Sequence, residues 1–495
     1  MTKRIIRDIP MNRVEGDLEV RVEINDGIVT DAWSAGTLYR GFENLMKGRG
    51  ALDGLVVTPR ICGICSTTHL MAAAQALDAI AGLTPPDNAL RVRNVALMAE
   101  HAQSDVRQTV LMYMADFAHA AQARHPLFDE AVRRYRPAAG TSAVDALRQT
   151  RRLLEVISIL GGQWPHSSFM VPGGVAFAPT QAAALQCLQL TREYRAWFEA
   201  RVLGCAIARW REVDSRAALD AWLAESAAHR DGEVGFLLRF GRAAGLDAIG
   251  RGHEAFLSFG ALDLPAETRV AAPGGRLVAA GFAAGTKVAA FDAAGVTEDV
   301  SHAWYRGDVA HPLQGSTEPY PAAQGSRAYS WVKAPRYDGR AVETGPLAEA
   351  VIGGNPLFVD IVGAGATSAL ARQLARIVRP ATLLPAMETW LEELVAHQGA
   401  PAVVGDGHVP DGEGAGLIEA ARGALGHWVA VENGRISRYQ VITPTAWNGS
   451  PRDAGGVRGA WEQALVGTKV ADPAHPVEAG LVVRSFDPCL VCSVH

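Results

Sequence analysis

Two Cys-x-x-Cys pairs at opposite ends of the chain restrict what it can fold into more than any other feature. Cys62 and Cys65 lie in RICGICSTTH (Arg60 to His69), and Cys489 and Cys492 in DPCLVCSVH (Asp487 to His495). Four of the six cysteines are thereby spent on matching pairs. Each pair has titratable neighbours, Arg60 and His69 around the first and Asp487 and His495 around the second. If both pairs serve one site, that site exists only once nearly the whole chain has folded. Soft thiolates suit zinc, nickel or an iron-sulfur cluster far better than magnesium or calcium. Spacing alone leaves a structural zinc site, two unrelated redox pairs, or a catalytic metal centre built by the entire protein. Structural zinc usually gathers its ligands within some tens of residues, which counts against the first. The flanking groups favour the third, since they could orient ligands or carry protons. Singly, they could equally be a salt-bridged arginine, a capping aspartate and core histidines.

A length of 495 residues suggests about three domains. A shared site argues instead for one interwoven unit over 1–495. Hydrophobic residues at 48% and charged residues at 20% describe an ordinary globular protein with a large core. A net charge of −5 without any Lys/Arg run gives no footprint for nucleic acid or an anionic membrane. Charges interrupt every apolar run of MTKRIIRDIPMNRVEGDLEV, so no signal-peptide core is expected there, and no stretch approaches the roughly 18 apolar residues of a membrane helix. The expectation is a cytoplasmic protein, with any membrane association supplied by partners. Six cysteines are too few for a disulfide scaffold in a chain this long.

Alternation of Leu18, Val20, Val22 and Ile24, a turn at Asn25-Asp26-Gly27, and resumption at Ile28 and Val29 predict a β-hairpin over 18 to 35. A helix is expected to start after the first cysteine pair, with Ser66 or Thr67 as N-cap and Leu70, Ala74, Leu77 and Ile80 buried. That places the first thiols at a helix N-terminus, where the dipole favours thiolates. Helical periodicity extends over 88–121, 142–160 (ending at Gly161-Gly162), most of 178–229, and 345–398. A loop-rich β insertion is expected over about 232–345, a Gly-rich loop over 400–416, and a second hairpin turning at Asn433-Gly434. The fold class is α+β, predominantly helical with peripheral β-hairpins and small sheets.

RVEG (Arg13 to Gly16), RGFE (Arg40 to Glu43), RICGIC with His69, KAPR (Lys333 to Arg336), EAARGALGHW (Glu419 to Trp428), TPTAWN (Thr443 to Asn448), SPRD (Ser450 to Asp453) and DPCLVCSVH follow one another along the chain. In this order they resemble the large, catalytic subunit of nickel-iron hydrogenases, over essentially the full length. The resemblance implies a nickel-iron centre that splits hydrogen heterolytically. Cys62 and Cys489 would bind nickel terminally, and Cys65 and Cys492 would bridge it to an iron carrying carbon monoxide and cyanide. It implies that Glu15 takes the proton from Cys489, that Arg422 lies over the open site with Asp487 holding it, and that Pro444 and Thr445 line the cyanide pocket near His69. A structural alternative for Glu15 is a salt bridge to Arg13. Glu43, the carbonyl of Val441 and His495 would hold a magnesium that ties the chain's ends together.

Only Cys187 and Cys205 remain, too few for a cubane cluster that needs about four thiolates. Electrons must therefore leave through another chain. The resemblance makes that chain an iron-sulfur small subunit, met by GGQWPHSSFMVPGG (Gly161 to Gly174) with His166 towards its nearest cluster; a plain buried loop is the alternative. Maturation proteins and a higher oligomer of heterodimers are further implied partners. Ser104 followed by Asp105 stands where many relatives have an Asp near the open site, so no role falls to either. EAARG replaces the commoner EAPRG. These departures look more like the cytosolic uptake and hydrogen-sensing group than the membrane-bound respiratory one. Within it, FDEAVRRYRP (from Phe128) and GGQWPHSSFMVPGGV favour an uptake enzyme; the alternative is a regulatory sensor that signals to a kinase. Ile64 and Met112, at the two bottlenecks of the gas channel, are intermediate in bulk. A cluster-less relative in an energy-converting complex would often have lost the thiolates.

Overall fold

The computed structural model describes residues 4–269, 275–323 and 327–495; residues 1–3 of the N-terminal reading lie outside that range. The first hairpin forms as expected. Leu18–Asn25 pairs antiparallel with Ile28–Gly36, and Leu18, Val20, Val22 and Ile24 are buried on one face. Asp26 and Gly27 turn with φ of 48° and 77°, the handedness that matches the twist of two paired strands. Arg4–Pro10 adds an outer strand that alternation does not reveal, because most of its side chains are exposed and several are charged.

The helices Ser66–Ala81, Asp87–Arg107, Thr141–Gly161, Gln181–Trp197 and Pro380–Ala396 form a packed layer. The helix expected over 88–121 runs regularly only to Arg107, widens into a π turn over Gln108–Tyr113, and finishes as a 3-10 turn over Met114–Ala118. Thr141–Gly161 ends on Gly162 in the left-handed region, as expected. The stretch 178–229 is helical in several pieces, and so is 345–398. The β insertion begins later than its glycine content suggests. Glu233–Ala243 is a helix, and Gly235 is there because a Cβ would lie 1.9 Å from the His229 carbonyl oxygen. Only then come the strands Ala255–Asp263, Arg276–Ala284 and Lys287–Ala289 and several shorter ones. The loop expected over 400–416 gives way to a strand at Gly412.

A three-stranded antiparallel sheet, Gly412–Ala420, Gly423–Glu432 and Arg435–Ile442, organises the chemistry. Ala421 and Arg422 are the whole connection between its first two strands, and Asn433-Gly434 turns between the second and third. The sheet lies directly on the Ser66–Ala81 helix, which Gly416 permits: a Cβ there would be 1.8 Å from the Ala72 carbonyl oxygen. One buried core joins the helical layer to this helix, a second gathers the N-terminal hairpin and the C-terminal segment, and the four cysteines cluster apart from both. Small sheets beside a large helical layer make the fold α+β.

The expected Ser66 or Thr67 cap is replaced by a different device. Cys65 occupies the N-cap position without a side-chain cap, and the first-turn amides are taken by Glu100 of the Asp87–Arg107 helix. Its carboxylate accepts from Thr67 N at 2.8 Å, Thr68 N at 3.0 Å and Thr68 Oγ1 at 2.7 Å, all buried. Glu100→Ala strands these donors without water, at about 3 kcal/mol. The expected result is a thermal unfolding midpoint lower by a few degrees, read by calorimetry, whereas Glu100→Gln recovers part of it.

Candidate metal centre

Both cysteine pairs arrive at one place. Cys62 Sγ lies 3.5 Å from Cys489 Sγ, Cys65 Sγ 3.3 Å from Cys492 Sγ, and Cys489 Sγ 2.9 Å from Cys492 Sγ, all buried. The C-terminal pair is held by Leu490 N donating to the Glu15 carbonyl at 2.6 Å and Cys489 N donating to Thr445 Oγ1 at 3.0 Å. Gly16, at φ 86°, allows this approach, since a Cβ there would stand 2.7 Å from Val491 N. Arg40 ties the two cysteine loops together, donating to the carbonyls of Ile61 (2.5 Å), Arg60 (3.1 Å) and Val491 (3.1 Å).

Four thiols enclosed this tightly cannot all ionise unaided. Hydrogen bonds from the other cysteines hold Cys62 well below the usual thiol range. Cys65 is pushed up by its bonds to Cys489 and Cys62, and Cys492 by burial and the same neighbours. A cation among the sulfurs would let all four be thiolates, and the all-sulfur donor set selects a soft transition metal. Beside Cys65 and Cys492 lies a small cavity walled by His69, Ala420, Arg422, Leu425, Pro444 and Thr445. Its mostly apolar lining with a few polar atoms suits small neutral or anionic ligands. The residues present therefore fit nickel, and a second metal beside it.

Arg422 projects from the two-residue turn of the central sheet, with Nε 3.2 Å from Asp487 Oδ1. Burial opposes its charge, but Asp487 and the surrounding thiols hold the guanidinium firmly cationic. Thr443 caps the short helix Pro444–Asn448 through Ala446 N, fixing Pro444 and Thr445 directly after the third strand. Glu15 is on the surface, and Arg13 pairs with Asp116 instead of with Glu15, which removes the salt-bridge alternative. Partial burial and the charge on Cys62 raise the Glu15 carboxyl.

The three atoms expected around magnesium also converge. His495 Nε2 lies 2.7 Å from the Val441 carbonyl oxygen and 3.4 Å from Glu43 Oε1. Neighbouring ligands on a six-coordinate magnesium stand about 3 Å apart. Lys333 Nζ contacts Glu43 (3.1 Å) and Glu298 (3.4 Å). Burial opposes the Glu43 charge, yet Lys333 and His495 hold its carboxyl down at about 2. A carboxylate, a backbone carbonyl and an imidazole brought this close together are donors that suit a hard cation, so this site fits too.

His69 Nδ1 meets His427 Nε2 at 3.0 Å, and His427 Nδ1 meets the Tyr439 hydroxyl at 2.9 Å. Burial pushes His69 down to about 3, so this chain is neutral. His166 Nδ1 bonds the Pro59 carbonyl at 2.9 Å, placing the ring against the first cysteine loop. Ile64 packs on the cysteine cluster, and Met112 is half-buried in the π turn. Cys187 and Cys205 stand apart, the former buried against Val156 and the latter beside Trp222. Glu100, Arg40, Lys333, Glu298 and His427 support the centre without having been assigned a role from sequence; RGFE, KAPR and GHW mark three of them only as motif letters. Asp105, also left unassigned, is buried and accepts from Nε and Nη2 along one edge of the Arg379 guanidinium.

The profile of the family described as nickel-dependent hydrogenase matches residues 40–123 and 240–495. The uptake hydrogenase large subunit of Rhodobacter capsulatus is 29% identical over 100% of this chain and 95% of its own. The periplasmic [NiFeSe] hydrogenase large subunit of Desulfomicrobium baculatum is 30% identical, covering 98% and 94%. Among solved structures, the reduced Ni-Fe-Se hydrogenase of D. vulgaris Hildenborough superposes with a TM-score of 0.83 at 30% identity, covering 100% of both chains. With the paired thiols brought together as they are here, the chain belongs to the nickel-dependent hydrogenase family, as one of its large subunits.

Proposed function

We propose that this chain is the catalytic subunit of an uptake hydrogenase, oxidising hydrogen and passing the electrons to an iron-sulfur small subunit. The observation that carries the reading is the convergence of four buried thiols beneath Arg422, next to the cavity at Pro444 and Thr445. Cys62 and Cys489 would hold nickel terminally, while Cys65 and Cys492 would bridge it to an iron bearing carbon monoxide and cyanide. When bound, this pair of metals supplies the open coordination position at which hydrogen is cleaved heterolytically and takes up its electrons. Everything else falls to the chain itself. Arg422, held cationic, lies over the cleavage position and polarises the substrate, with Asp487 beside it. Glu15 takes the proton from Cys489; its backbone is bridged to Cys489 and its side chain reaches the surface, so one residue connects the buried sulfur to water. Glu43, Val441 and His495 would hold magnesium and fasten the segment that carries Cys492.

Relatives named as large subunits imply a small-subunit partner. The surface around His166 is the proposed contact, because this ring is anchored on the loop that carries Cys62. Among the described residues no helix is long and apolar enough to cross a membrane. One relative is named periplasmic, so the cytoplasmic assignment rests on sequence alone and is checked by cell fractionation.

The deciding measurement is steady-state hydrogen oxidation with an artificial dye, using this chain co-purified with its small subunit. A turnover at or above about 10 per second is expected for an uptake enzyme. A rate one or two orders of magnitude lower, with nickel and iron fully loaded, would identify the sensor. No activity with zinc in place of nickel would overturn both readings.

A further inference from the structure

Arg422 has an unusual attachment. Neither its Nε nor its Nη1 makes an aligned hydrogen bond among the described residues, although both are buried. Besides the ion pair of its Nε with Asp487 at 3.2 Å, its direction comes from the backbone of the two-residue turn it sits in. That turn is gripped at one atom: the Ala421 carbonyl oxygen accepts from Arg379 Nη2 at 2.9 Å and from Arg376 Nη1 at 3.2 Å. Arg379 is itself fixed. Asp105 takes its Nε at 2.9 Å and its Nη2 at 2.8 Å, and Glu349 takes Nη1 at 2.7 Å, all buried. On the opposite side the turn is backed by Gly345, whose Cβ would lie 3.1 Å from the Arg422 carbonyl oxygen. A bidentate carboxylate–guanidinium pair is among the most geometrically restrictive contacts a protein can make.

We propose that Asp105 and Arg379 are positioning residues for hydrogen cleavage: the pair clamps the Ala421 carbonyl and thereby aims Arg422 over the thiols. This rests on the assignment of Arg422 to the open site. It gives Asp105 a place in the reaction that neighbouring Ser104 does not share, acting through the turn and not on the substrate. The clamp also makes the Ala421 variation of the arginine motif understandable, since the backbone oxygen, and not the side chain at that position, is what is gripped.

The test uses the complete heterodimer, with Asp105→Asn and Arg379→Lys made alone and on an Arg422→Lys background. Loss of the clamp is expected to lower kcat about 10- to 100-fold, as a misplacement of around an ångström does, with little change in KM for hydrogen. Nickel content should stay at the unaltered level, and the paramagnetic resonance signal of the nickel should shift. On the Arg422→Lys background the same substitutions should add nothing further. Unchanged kcat and signal in both variants would overturn the clamp, as would equal losses with and without Arg422, or nickel lost in proportion to rate. If Asp105→Asn does not assemble, Arg379→Lys, which keeps the charge and removes the fork, decides alone. Arg422→Lys with unaltered kcat would sink the assignment of Arg422 itself; an impaired Arg422→Lys beside a silent clamp would sink only the clamp.

Discussion

Cys492→Ala is expected to abolish hydrogen oxidation and to leave the purified chain with almost no nickel by metal analysis. Cys492 lies 2.9 Å from Cys489 and 3.3 Å from Cys65, so its sulfur is the one closest to both pairs. Removing it opens the donor set on the side where the cavity begins. Replacement by serine should fare little better, because a hard hydroxyl oxygen in that position is a poor substitute for a soft thiolate. The chain should still fold, since the alanine fills an apolar neighbourhood and the bonds from Leu490 N to Glu15 and from Cys489 N to Thr445 are untouched. Retained nickel at full occupancy with full activity would remove Cys492 from the centre altogether.

Glu15→Gln should separate metal binding from turnover. The amide keeps the shape of the carboxyl and leaves the backbone bridge to Cys489 in place, so nickel should be retained. It cannot take up a proton, and loss of a positioned acid-base group typically lowers rate by about 10²- to 10⁴-fold. Partial burial and the charge on Cys62 raise the Glu15 carboxyl, which brings it closer to the range in which it can both accept and release a proton. Dye-linked oxidation measured beside metal content would decide: a nickel-replete Gln variant that turns over at the unaltered rate would show that the proton leaves elsewhere.

The elements that sequence predicts well are those whose signals are local. The hairpin at Asp26-Gly27 and the one at Asn433-Gly434 follow from turn chemistry and alternation, and the structure forms both. The meeting of the cysteine pairs was legible from their titratable neighbours and from the family resemblance, spacing alone leaving two unrelated pairs open. What stayed hidden depends on partners distant in sequence. Glu100 looks like a polar interruption of a helix until the amides of Thr67 and Thr68 are seen against it. Asp105 faces Arg379 across 274 positions, a pairing no periodicity reveals. The N-cap expected at Ser66 or Thr67 failed for the same reason, the cap being supplied from a neighbouring helix. Glycine misled over 233–243, where it serves close helix packing and not a loop.

The two cysteine loops also grow out of different cores. Ile61, next to Cys62, belongs to the helical one, whereas Leu490 and Val494, flanking Cys492, belong to the one built on the N-terminal hairpin. The centre is thus a bolt through a seam. Before any metal arrives, this seam joins its halves through hydrogen bonds among the four sulfurs, and local opening in proteins concentrates where stabilising contacts are fewest. Metal-free protein is therefore expected to be cleaved by a protease sooner than the loaded chain, with the early cuts beside the two cysteine loops. A metal bound by all four thiolates would join the two cores directly.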